Sequence, residues 1–313
     1  MVNYVIRRIL ATIPVMAVVA LFVFSLLYIA PGDPAAVIAG DQATPADVER
    51  IRASLGHDRP FLIRFGEWSW QVLHGDLGTS IFTNLPVAAM IVQRIEPTLS
   101  LMAVTLAFAV TVAVPIGVVA AWRADTLIDR AIMAFAVLRF SVPVFVIGYV
   151  LAYVFGLQLD WVPVQGYTPF AEGFEPWIEN LILPALALGC VYIALIARTT
   201  RAAMLEVLQQ DYIRAARAKG IGQSGLLFVH ALKNAAVPIV TVIGIGMALL
   251  IGGAVVTETV FAIPGIGRLT VDAILRRDYP IIQGVILLFS AAYVLINLAI
   301  DISYTFLDPR IRY

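Results

Sequence analysis

Six apolar runs, each long enough to cross a bilayer, constrain this chain more than any other feature. A helix rises about 1.5 Å per residue, so about 17–25 apolar residues span the hydrocarbon core. The runs do not alternate apolar and polar residues, which excludes a transmembrane β-barrel. The sequence predicts an all-α membrane protein with six transmembrane helices. The runs cover about Ile9–Ala30, Thr98–Trp122, Ala131–Phe155, Leu181–Ala197, Val237–Thr257 and Ile281–Ile300.

Composition points to the same class. The 313 residues are 61% hydrophobic and 13% charged, whereas soluble domains carry about 25% charged residues. The first run follows Arg7 and Arg8 and is longer than the apolar region of roughly 7–15 residues in a signal peptide, so we interpret it as a retained helix. No Lys/Arg cluster is interleaved with aromatic residues, which argues against a nucleic-acid partner.

The distribution of basic residues predicts the orientation. Twelve of the 21 Lys and Arg residues fall in segments on the same side as the N-terminus, and eight fall on the other side. Since cytoplasmic segments are enriched in Lys and Arg, both termini are predicted to be cytoplasmic. The predicted regions are an N-terminal transmembrane helix (1–30), an extracytoplasmic segment (31–96), a five-helix core (97–305) with a cytoplasmic loop (198–236), and a cytoplasmic tail (306–313).

The extracytoplasmic segment is predicted to contain a short helix and an amphipathic stretch. Thr44 and Pro45 form an N-cap pattern before a short soluble helix. An amphipathic stretch at the membrane surface is then indicated by four aromatic residues and two charged ones, Phe61, Phe65, Trp68 and Trp70 with Arg64 and Glu67.

The 198–236 loop is the most informative polar segment. Apolar residues recur at three- and four-residue steps from Arg201 to Lys219, which predicts a helix ending at Gly220. A second helix is predicted from about Gln223 to Lys233. Ala215 and Ala216 would let another protein approach the backbone closely. The residues alone fit two interpretations, a docking surface for a partner and an amphipathic loop lying on the membrane.

A family resemblance rests on this loop. Arg214-Ala215-Ala216-Arg217-Ala218-Lys219-Gly220, followed by His230-Ala231-Leu232-Lys233, resembles the cytoplasmic loop of ABC importer permeases. The general form of that loop is Glu-Ala-Ala, three residues, Gly, nine residues and Ile-x-Leu-Pro. This chain has Arg214 in place of Glu, His230 in place of Ile and Lys233 in place of Pro.

Further motifs extend the resemblance along the whole chain to the branch that imports dipeptides, oligopeptides, nickel and glutathione. They are Ala30-Pro31-Gly32-Asp33-Pro34, Gly75-Asp76-Leu77-Gly78-Thr79-Ser80, Glu258-Thr259-Val260-Phe261, Pro264-Gly265-Ile266-Gly267 and Leu307-Asp308-Pro309-Arg310. The resemblance implies a type I permease bundle in the bacterial inner membrane. It implies as partners a second permease subunit, two cytoplasmic ATPases and an extracytoplasmic binding protein. The implied ATPase-docking residues are Arg214, Ala215, Ala216, Arg217, Lys219, Gly220 and Leu232.

The sequence contains no Gly-x-x-x-x-Gly-Lys-[Ser/Thr] phosphate loop, so we expect ATP and Mg²⁺ to be bound by the partner ATPases and no cofactor by this chain. It also contains no His-Glu-x-x-His and no Gly-x-Ser-x-Gly, so we do not expect an enzyme. Three alternatives stay open at this point: an ion-coupled secondary transporter, an intramembrane enzyme, and a scaffold without a pathway.

Three residues in or near the predicted spans are candidates for the pathway or its gate. Arg139 lies inside the third run, where a charge is costly and often functional, although it also fits snorkelling or a structural contact. Pro143 removes a backbone hydrogen bond in the same run, which fits a wall of a water path or a packed kink. Glu258 lies at the predicted outer end of the fifth helix, where it could contact a binding protein, a cationic substrate or an arginine.

Overall fold

The computed structural model describes residues 2–29, 44–46 and 60–307. The helices of eight or more residues in this part of the chain are α1 (Val2–Ile29), α2 (Phe61–Leu73), α3 (Val87–Trp122), α4 (Leu127–Ser141), α5 (Val144–Leu151), α6 (Phe174–Leu208), α7 (Asp211–Ala218), α8 (Ala236–Val260), α9 (Ile266–Arg276) and α10 (Tyr279–Leu307). Most of the helix predicted after Thr44 lies outside the described residues, as do Pro31–Pro34 and the tail from 308.

Among the described residues, five helices are long and apolar enough to span a membrane: α1, α3, α6, α8 and α10. The third predicted run is a bent pair, because α4 and α5 meet at an angle of 102°. Pro143 is the N-cap of α5, and it has no N–H with which to continue the helical ladder of α4. Counted as one span, the pair gives the predicted total of six.

Several predicted boundaries differ from the observed ones. The second run belongs to a helix that begins at Val87, well before Thr98, and passes through Pro97. The fourth extends in both directions, to Phe174–Leu208. Segment 258–280 contains α9, which we did not predict. The helix predicted from Arg201 to Lys219 is two helices, since α6 ends at Leu208 and α7 begins at Asp211.

The described residues divide into two compact units, and the first comprises Pro97–Gly267 with the end of α10 from Ile296. Helix α6 runs through its core and packs against α4, α5 and α8. The helices approach closely at small residues, as is common in membranes. At Gly117 of α3, for example, a Cβ would lie 2.7 Å from the Ala197 carbonyl of α6.

The second unit comprises Val2–Glu96 with Arg268–Leu295. Helix α2 lies against α1 through an aromatic cluster in which Phe24 contacts Phe61, Phe65 and Trp68 at centroid distances of 5.3, 5.6 and 5.3 Å. The aromatic face that suggested a membrane-surface stretch therefore packs in part against the first helix. Trp70, by contrast, is 66% exposed.

Candidate functional site

Helix α7 ends in a hydrogen-bonded glycine turn. Gly220 has φ +80°, its N–H donates to the Arg217 carbonyl at 3.0 Å, and the Ile221 N–H donates to the Ala216 carbonyl at 3.3 Å. These two bonds form a Schellman motif, in which glycine tolerates the left-handed backbone. The predicted helix end at Gly220 is confirmed, and the turn fixes the direction in which the chain leaves α7.

We expect Gly220→Ala to destabilise the protein while Gly222→Ala does not. An L-residue in the left-handed region costs about 1–2 kcal/mol. Gly222 has no positive φ, and a Cβ there would meet nothing within 4 Å. Thermal unfolding of the two purified variants in the same detergent measures the difference. Equal melting temperatures would contradict a structural role for this turn.

A buried cluster fixes the loop to three spanning helices. Its members come from α3, α6, the loop and the start of α8: Val118, Ala121, Ala203, Met204, Ile213, Leu226, Leu227, Ala231, Ala235 and Ile239. Met204 and Ala231 are completely buried, and Ile213 is 1% exposed. Close-packed side chains deform little, so the cluster holds α7 in a fixed position against the adjoining ends of α3, α6 and α8.

The outward face of α7 is small and polar. At 100° per residue, Asp211, Ala215 and Ala218 form a stripe opposite the buried Ile213. Arg214 and its ion-pair partner Asp211 lie 3.3 Å apart, with side chains 74% and 96% exposed. Such an exposed pair contributes little to stability and leaves both charges accessible.

The predicted docking residues divide into two groups. Exposed ones are Arg214, Ala215, Arg217, Lys219 and Gly220. Ala216 and Leu232, by contrast, are half-buried and pack against the cluster that fixes the loop. Tyr212 borders the exposed group, and partial burial raises the pKa of its phenol. The docking role of all seven residues stays a prediction.

A buried carboxylate joins α4 to α6 near the loop. Arg201 Nε and Nη2 donate to the two carboxylate oxygens of Asp129 at 2.5 and 2.6 Å, and the Asp125 N–H donates to the same carboxylate at 3.0 Å. The Asp129 side chain is 4% exposed and that of Arg201 is 23% exposed. We did not single out this pair in the sequence, since the two residues are far apart and lie in different predicted segments.

We expect Arg201→Lys to lower the free energy of unfolding by about 1–3 kcal/mol, because lysine cannot form the two parallel bonds of the guanidinium. The matched control is Arg214→Lys, whose ion pair is exposed on both sides. That control should unfold at the wild-type temperature. A melting temperature of Arg201→Lys equal to that of the control would contradict the bidentate contact.

Arg139 is buried at the break between α4 and α5. It is 6% exposed, and its guanidinium donates to the carbonyls of Val142 at 2.7 Å and Ala187 at 3.2 Å. The contact with Ala187 links the break to α6, while Pro143 itself is exposed. A helix break leaves carbonyls without intrahelical partners, and Arg139 supplies donors for one of them. A role of either residue in a gate stays a prediction.

Glu258 is completely buried near the end of α8. The Thr98 hydroxyl donates to its Oε1 at 2.6 Å and accepts the Ile266 N–H at 2.8 Å. A Cβ on Gly265 would overlap the carboxyl group of Glu258. The glycine in this motif is thus required because the turn into α9 packs directly on the carboxyl. A pathway role of Glu258 stays a prediction.

Within the described ranges, no three His, Cys, Asp or Glu side chains come together as metal ligands would.

Comparison with known proteins defines the class to which this helical bundle and its loop belong. The family described as "Binding-protein-dependent transport system inner membrane component" matches residues 113–313, and the N-terminal part of that family matches residues 1–102. The chain belongs to this family and is a permease subunit of an ABC importer in the inner membrane.

The relatives match over their whole length. A probable peptide ABC transporter permease of Sinorhizobium fredii is 56% identical over 310 residues, which is 99% of each chain. A putative peptide transport system permease of Brucella abortus is 45% identical over 99% of this chain and 98% of its own. The glutathione transport system permease GsiC of Escherichia coli is 42% identical over all of both chains.

A solved structure shows the same fold. The inward-facing MetNI methionine ABC transporter matches with a TM-score of 0.59 at 19% identity, covering 70% of this chain and 96% of that one. The resemblance in the sequence to type I importer permeases is thus confirmed for the fold.

Proposed function

We propose that this chain forms one half of a peptide translocation path and is driven by ATPases that dock on the 198–236 loop. The partners are a second homologous permease, two cytoplasmic ATPases that bind ATP and Mg²⁺, and an extracytoplasmic binding protein. The observation that carries the proposal is the loop itself, whose exposed α7 face is fixed by a buried cluster to three spanning helices.

The mechanism follows from that attachment. ATP-driven closure of the two ATPases displaces α7, and the cluster passes the displacement to the cytoplasmic ends of α3, α6 and α8. The helices tilt, and the path opens outward to accept substrate from the binding protein. Hydrolysis of ATP then returns the path to the inward-open state.

The orientation can be tested by labelling. In a Cys190→Ala background, which removes the only cysteine of the chain, single cysteines are placed at the exposed Ala218 of α7 and the exposed Ala171. A membrane-impermeant maleimide should label Ala171→Cys in spheroplasts and Ala218→Cys only in inside-out vesicles. The opposite pattern would place the loop outside and overturn the proposal.

Peptides are the proposed substrates because relatives at 56% and 45% identity are named for peptide transport and one at 42% for glutathione, itself a peptide. The test is to purify the binding protein that associates with the complex and identify its bound solute by mass spectrometry. Uptake of that solute into proteoliposomes, and its competition by dipeptides and glutathione, would then establish the substrate. A non-peptide solute would contradict this part of the proposal.

A further inference from the structure

A small charged cleft lies within the second unit, between the segment that begins at Ser80 and helix α9. Its volume is about 150 Å³, and Arg94, Asp272, Arg276 and Asp278 line it above a buried apolar floor that includes Leu269. The distribution of Lys and Arg along the sequence predicts that both segments are extracytoplasmic. The cleft is thus predicted to lie on the side from which a binding protein would deliver substrate.

One wall of the cleft is fixed by a buried carboxylate. Asp278 is 2% exposed, and it accepts hydrogen bonds from the Ser80 hydroxyl at 2.5 Å and the Ile81 N–H at 3.4 Å. These bonds connect residues almost 200 positions apart in the chain. The two carboxylate oxygens of Asp278 are therefore engaged in holding the wall.

The two arginines of the cleft are available. Arg94 is half-buried and Arg276 is exposed, and neither forms an ion pair or hydrogen bond with any residue that the structure describes. Asp272 is exposed at the rim and equally lacks a partner there. The formal charges of the four lining side chains cancel. The two guanidinium groups nevertheless have unused N–H donors, whereas the Asp278 oxygens already accept hydrogen bonds, and unused donors favour an occupant that carries a carboxylate. Guanidinium groups recognise carboxylates through paired N–H donors.

The size of the cleft decides between two kinds of carboxylate. Pockets for small-molecule ligands usually have volumes of about 300–1,000 Å³. At about 30 Å³ per water, this cleft holds roughly five waters, which suits a single side chain better than a peptide.

We propose that the cleft receives an aspartate or glutamate side chain from the surface of the binding protein, held by Arg94 and Arg276. This inference rests on the proposed function, since it assigns the place at which the binding protein docks.

The test is the affinity of the purified transporter, in nanodiscs, for its purified binding protein. We expect Arg94→Gln and Arg276→Gln each to weaken binding about tenfold and to reduce its dependence on salt, because each removes a charge pair screened by ions. Arg277→Gln is the matched control, since Arg277 is adjacent, exposed and outside the cleft. The control should bind like wild type, and the basal ATPase rate without binding protein should be unchanged in all three variants.

Other outcomes would overturn the inference. Unchanged affinity in both cleft variants, or an equal loss in Arg277→Gln, would show that the cleft does not receive the side chain. Loss of the basal ATPase rate would show a structural role for the arginines. Direct binding of a free dipeptide, abolished by Arg94→Gln, would make substrate the occupant. A wild-type complex that bound no binding protein at all would instead contradict the proposed function.

Discussion

Replacing Ala215 with glutamate is expected to reduce uptake at least tenfold while leaving the protein folded in the membrane. Ala215 lies on the exposed stripe of α7, opposite the buried Ile213. A longer, charged side chain there prevents close approach of a partner but displaces nothing inside this chain. The measurement is solute uptake, together with co-purification of the ATPases and the melting temperature of the variant.

The matched control is Ala171→Glu, the same substitution at an exposed alanine in a segment that is predicted to be extracytoplasmic. It should insert, bind the ATPases and transport like wild type. Ala215→Ser should also transport normally, because serine keeps the surface small. Normal uptake and ATPase binding by Ala215→Glu would contradict docking at this face of α7.

Replacing Thr98 with valine is expected to destabilise the chain by about 2–4 kcal/mol. The Thr98 hydroxyl is the shared partner of the Glu258 carboxyl and the Ile266 N–H, and all three residues are buried. Valine has the same shape but no hydroxyl, so the hydrogen bonds that join Thr98 to the Glu258 carboxyl and to the Ile266 N–H are both lost, at about 1–2 kcal/mol each. Thermal unfolding in detergent and the yield of folded protein measure the effect.

Thr105→Val provides the control within the same helix. Thr105 is fully buried, and its hydroxyl has no hydrogen-bond partner among the described residues. Removing that hydroxyl should leave the melting temperature unchanged or raise it, since an unpaired buried hydroxyl is itself costly. If Thr98→Val unfolds at the same temperature as Thr105→Val, the proposed role of the Thr98 hydroxyl is wrong.

Most of the secondary structure of the 198–236 loop could be predicted from the sequence. The apolar spacing and Gly220 predicted a helix, its end and a second helical segment, because these depend on neighbours only a few residues apart. The break between Leu208 and Asp211 was not predicted, since both sides continue the same apolar spacing. Helix α9 was missed because the segment around it is rich in glycine and proline, which favours a loop. Only the packing shows that Gly265 is needed for its close approach to the Glu258 carboxyl.

The sequence by itself determined the membrane class, the spanning runs and the family motifs, because apolar length and local residue order carry that information directly. Only the tertiary structure separated Ala215, which is exposed, from Ala216, which packs against the core. It also paired Asp129 with Arg201 and Thr98 with Glu258. These pairs join residues 72 and 160 positions apart, and such contacts arise from helix packing, which no local pattern in the chain encodes.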